Sequence, residues 1–135
     1  MEYFIIRSCD GQEKSFGEEQ AKTLAQKLID EFGFQKVRVH SIDKKTAKHT
    51  AGIIANRFNV GVSCEEGLSV EEYFEYLDRR IKALNGDSLI HIFIVDTETM
   101  FYFPKERLGI GKCVVGLGMG IHYRKGEFVP FEYEF

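Results

Sequence analysis

The sequence predicts an α/β fold with an α+β tail: a mixed sheet in β-α-β-α-(β)-α-β order, then a C-terminal antiparallel meander of about three strands, with about three helices packed on the sheet. Three observations predict it. Apolar residues recur at helical spacing in three stretches before residue 85, each flanked by a short apolar or alternating run. That period disappears after Asp96. In the tail, Arg124-Lys125-Gly126-Glu127 reads as a short hairpin turn between two strands. Strands separated by helices favour right-handed parallel crossovers, whereas strands joined by short turns pair antiparallel.

The first strand runs from Glu2 to Ser8 around Tyr3, Phe4, Ile5 and Ile6. Ser15 and Glu18 have the spacing of a capping box, and Ala21, Leu24, Ala25, Leu28, Ile29 and Phe32 then share one helical face until Gly33. Gln35 to Ile42 alternates as a half-buried strand. Asp43 is the expected N-cap of a second helix whose apolar side is Ala47, Ala51, Ile54, Ala55 and Phe58. Asn59 to Ser63 is at most a short strand. Ser69 and Glu72 form a second capping box, opening a helix with Val70, Tyr73, Phe74, Leu77, Ile81 and Leu84 inward. Ser88 to Asp96 is almost wholly apolar, as a strand covered on both faces must be.

Thr99 to Phe103, Cys113 to Tyr123 and Glu127 to Phe135 read as the strands of the tail. Cys113–Tyr123 places Gly116, Gly118 and Gly120 on one face, beside Val114 and His122. Glycine inside a strand costs roughly 0.5–1 kcal/mol against alanine, so such a face implies a close neighbour. A covering helix or the rings of an adjacent strand would supply one, and so would a ligand or a second subunit. Pro130 marks the last strand as an edge or a bulge.

At 135 residues the chain is expected to form a single domain over 1–135. A net charge of −3 excludes a strongly basic nucleic-acid arm. Three cysteines without a CxxC pair argue against a disulfide framework and for a cytoplasmic setting. No apolar run is long enough to span a bilayer, so no membrane partner is expected.

Two sets of residues could carry chemistry. Lys36 to Arg57 holds six basic residues, one acidic residue and two histidines. Within it, Lys44, Lys45, Thr46, Lys48 and His49 crowd a helix start, with Arg38 and His40 on the preceding strand. A helix N-terminus offers free N–H groups to an anion, so the first reading is a binding or regulatory module. It would hold a phosphate-bearing ligand, a nucleotide or a nucleic-acid backbone. The second set lies where parallel βα units place ligands, beyond the strand carboxyl ends. Asp10, Asp43, Asp96 and Glu98 there could hold Mg²⁺ for phosphoester hydrolysis. The same edge could instead pair Cys64 with His40 as nucleophile and base. A third possibility is a protein-interaction module or homo-oligomer built through the C-terminal strands.

Overall fold

A computed structural model describes residues 2–9, 14–33, 36–84, 86, 88–110 and 119–132, the side chains of 14–16, 119 and 132 excepted. The elements are β1 (Glu2–Arg7), α1 (Lys14–Phe32), β2 (Val37–Ser41), α2 (Lys45–Phe58), β3 (Val62–Cys64), α3 (Val70–Ala83), β4 (Ile90–Val95), α4 (Thr97–Arg107), β5 (Met119–Arg124) and β6 (Glu127–Glu132). They build one six-stranded mixed sheet in the order β3-β2-β4-β1-β5-β6. The first four strands are parallel, and β5 and β6 pair antiparallel beyond β1.

Helices cover both faces. The even-numbered residues of β1 face α1, where Phe4 meets Phe32 edge to face with ring centroids 5.3 Å apart. The odd-numbered ones face the other layer, where Tyr3 packs against Phe93. On that second face α3 buries Tyr73, Phe74, Leu77 and Ile81. Each large apolar side chain so buried contributes roughly 1.5–3 kcal/mol. Its capping box is complete: Ser69 Oγ accepts from Glu72 N–H, and the Glu72 carboxylate accepts from Ser69 N–H. α3 meets α4 through the edge-to-face pair Phe74 and Phe103.

Three expectations are corrected. Thr99 to Phe103 is not a strand but the middle of α4, so the described residues hold four helices, and two tail strands instead of three. Asp96 is the N-cap of α4, its carboxylate accepting from Thr99 N–H at 3.0 Å. That bond outweighs the strand propensity of the β-branched and aromatic residues behind it. Asp43 does not cap α2; Lys44 stands at that position and makes no side-chain cap bond. The Asp43 carboxylate reaches instead to Lys48 Nζ at 2.6 Å and to Gly67 N–H at 3.0 Å. α1 begins at Lys14, ahead of the expected cap Ser15.

The glycine face is described only at Gly120, since residues 111–118, and with them Gly116 and Gly118, lie outside the described residues. There the close neighbour is the sheet itself. A Cβ on Gly120 would stand 2.9 Å from the Ile5 carbonyl oxygen and 3.2 Å from Ile6 Cγ1. Phe131 lies directly across from it on β6, and its ring meets Phe4 edge to face. β6 is the sheet edge, and Pro130 has no N–H to offer a further strand.

Candidate functional site

The parallel strands end side by side. Cys64, Ser41, Ile94 and Ile6 form one row across β3, β2, β4 and β1. Above that row the chain leaves in two directions. β1 leads into α1, which packs with α2, whereas β4 leads into α4, which packs with α3 on the opposite face. Adjacent strands whose connections diverge in this way open a crevice, and open α/β sheets bind ligands in it.

Arg7 stands at that crevice. It closes the β1–β4 ladder opposite Val95, and its Nε donates to Thr97 Oγ1 in the first turn of α4 at 3.0 Å. The backbone continues the ladder above it, Ser8 N–H donating to the Val95 carbonyl at 2.8 Å. Cys9 N–H then donates to Thr50 Oγ1 of α2 at 3.0 Å. Consequently β1 is tied to one helix on each face, and the guanidinium is held between strand and helix. Neither Arg7 nor Thr50 stands out in the sequence, because the partners that give them meaning, Thr97 and Cys9, lie 90 and 41 residues away.

The sequence-derived residues fall into three places. Lys44, Lys45 and Thr46 are exposed at the start of α2, on the same edge as Arg7, and no acidic residue occupies that first turn. Lys48 is on that edge too, paired with Asp43; their hydrogen bond holds the carboxyl below its ordinary range and the ammonium above its own. His49 is 3.6 Å from Glu18 of α1. Arg38 and His40 lie apart from these, on the α3 side of β2. His40 is buried, 3.0 Å from His91 through Nε2. Burial, then His91, Arg80 and Arg38, pushes its pKa down to about 3. Cys64 is half-buried, and burial raises its thiol. Its expected partner His40 has its Nε2 committed to His91.

Of the four carboxylates, Asp10 lies outside the described residues. Asp43 and Asp96 carry the bonds given above, and Glu98 is exposed on α4. Among the described residues no three His, Cys, Asp or Glu side chains converge as metal ligands would. What lies along this edge is the Arg7 cation held by the Thr97 hydroxyl, the half-buried carboxylate of Asp96 one residue before Thr97, and the open start of α2. Such a set can hold a tetrahedral oxyanion. No helix among the described residues is long and apolar enough to cross a membrane.

This architecture is histidine phosphatase-like. A phosphoglycerate mutase from Plasmodium falciparum superposes with a TM-score of 0.68 at 21% identity, over 97% of this chain and 88% of that one. The protein histidine phosphatase SixA, complexed with tungstate, gives 0.69 at 11% identity, over 98% and 97%. An alpha-ribazole phosphatase from Shigella flexneri gives 0.61 at 15% identity, over 98% and 96%. No family model matches the sequence, and no curated protein matches it either.

Proposed function

We propose that the protein binds phosphate monoesters in the crevice between β1 and β4 and hydrolyses them. The observation that carries the reading is Arg7, held by Thr97 at the point where the strand connections diverge. The similar folds support it, since they belong to phosphatases and a mutase, one of them holding tungstate, a tetrahedral stand-in for phosphate. In phosphoryl transfer the protein mainly positions the group and neutralises charge on its equatorial oxygens. Arg7 does this with a planar fork of donors, and the α2 N–H groups and Lys44 add positive potential. Water adds to phosphorus and the ester oxygen leaves with a proton, giving inorganic phosphate and an alcohol. Asp96 is the carboxylate beside the Arg7 anchor and is assigned the proton transfer.

One observation favours a second reading, the binding module without turnover. Histidine is the commonest proton-transfer residue near neutral pH, and none of the described histidines stands in the crevice. Calorimetric titration with tungstate, phosphate and nucleotides, beside hydrolysis of p-nitrophenyl phosphate with Mg²⁺ or with a chelator, separates the readings. Tungstate binding with turnover, both lost in Arg7→Met, supports the hydrolase. Binding without turnover under either condition assigns the module. Absence of any oxyanion binding at low ionic strength rejects both.

A further inference from the structure

We propose that the groove between α3 and α4 docks a cationic, amphipathic segment of a partner protein. The groove has a volume of about 580 Å³, with Phe74 and Tyr102 among its apolar lining and Glu71, Glu75, Glu98 and Glu106 around them. The spacing produces two facing stripes. Glu71 and Glu75 are four residues apart on α3, and Glu98, Tyr102 and Glu106 follow at the same interval on α4. Glu71 and Glu98 stand in the first turns of their helices, where the macrodipole favours them, but Glu75 and Glu106 lie beyond that turn and have no such reason to be there.

The cation present is already used. Arg107 donates to Glu75 at 2.6 Å and lies 3.7 Å from Asp78. Glu71 and Glu98 make no ion pair among the described residues. Beside them α4 turns two rings outward: Phe101 is 47% and Tyr102 44% exposed, packed edge to face 4.9 Å apart. Exposed apolar patches rimmed by polar residues mark an interaction surface, and here the unpaired charges on that rim are carboxylates.

The chemistry of the occupant follows from sign and spacing. Negative charge excludes a phosphate backbone. The carboxylates are strung along two helices and do not converge on one point, so a single metal ion does not satisfy them. A linear partner with Lys or Arg on one side and an apolar residue between them does. Its cations would meet the glutamates and the face of Tyr102, and its apolar residue would lie against Val70 and the Tyr102 ring. The α4 stripe covers the nine residues from Glu98 to Glu106, roughly 12 Å of helix, which two to three turns of a bound helix would match.

The test is fluorescence anisotropy with a labelled helical Leu/Lys peptide and its Leu/Glu counterpart. Binding of the Lys peptide alone, weakened about tenfold by high salt, and by about tenfold in Tyr102→Ser and in Glu71→Gln/Glu98→Gln, supports the proposal. Glu19→Gln, at an exposed site on α1, should leave the affinity unchanged. Equal binding of both peptides overturns the proposal, as does equal weakening by Glu19→Gln, which would mean diffuse attraction. A concentration-dependent dimer lost in Glu98→Gln would overturn it too, by assigning the groove to a second copy of the chain.

Discussion

The rings of His40 and His91 lie nearly parallel on the α3 face of the sheet, Nε2 of one 3.0 Å from Nδ1 of the other, so one N–H joins two imidazoles inside the protein. The contact holds β2 to β4 beneath α3. It also makes stability depend on pH. The folded pKa of His40 lies near 3, below the ordinary 6.5. Between those values the unfolded chain binds the proton and the folded one does not.

The stabilisation is therefore complete above pH 6.5 and is lost as pH falls toward 3. From this group alone the slope approaches about 1.4 kcal/mol per pH unit. His40→Leu should be less stable at pH 7 by about 1–3 kcal/mol, because His91 loses this buried partner. Its denaturation midpoints should also fall less steeply than those of the wild type between pH 6 and 4. Parallel curves would show that His40 is not the group that titrates.

Asp43 should behave as a loop tie and not as a helix cap. In Asp43→Ala, hydrogen exchange at the Gly67 amide should accelerate, while the amides of the first α2 turn keep their rates. The ion pair with Lys48 is exposed and screened by solvent, so the loss of global stability should be small. Faster exchange confined to the α2 start would restore the cap.

Two glycine substitutions should have opposite signs. Gly120→Ala forces a methyl to within 2.9 Å of the Ile5 carbonyl and should cost about 1–3 kcal/mol. Gly52→Ala, in the middle of α2 with nothing within 4 Å of the new methyl, should gain about 0.5–1 kcal/mol from helix propensity. Thermal denaturation of both proteins checks the pair, and a stabilised Gly120→Ala would mean that β5 does not lie so close to β1.

Thr97→Val keeps the shape of the α4 start and removes the oxygen that holds Arg7. Tungstate affinity should fall several-fold, less than in Arg7→Met, because the guanidinium remains but is no longer fixed. Equal losses in the two variants would give Thr97 a direct contact with the anion.

What could be read beforehand was what is local. The face Leu24, Ala25, Leu28 of α1 and the Ser69–Glu72 capping box are written in neighbouring residues, and both are present. α4 was hidden because Phe101 and Tyr102 are as apolar as the inward Met100 and Phe103, which blurs the helical period. Pro104 within the helix adds to the disguise. The strand-end edge was legible as a place, since βα order fixes it. Its central residue was not: an arginine after an apolar strand looks like an ordinary boundary until β4 is known to lie beside it. The basic stretch was visible as charge, but not the way β2 separates Arg38 and His40 from Lys44 to Lys48.

The position of β1 has a consequence for biosynthesis. Its two neighbours are β4 and β5, so none of its ladder can form until the chain has reached Ile90, and each β1 residue waits for a partner made 88 residues later. At the usual pace of translation that is a wait of roughly 5–20 s. Throughout it Tyr3, Phe4, Ile5 and Ile6 leave the ribosome as an unpaired apolar strand while α1, β2 and α2 emerge behind them. The nascent chain thus carries this apolar strand unpaired while the intervening elements are made, and it is during synthesis that a holding chaperone would matter most.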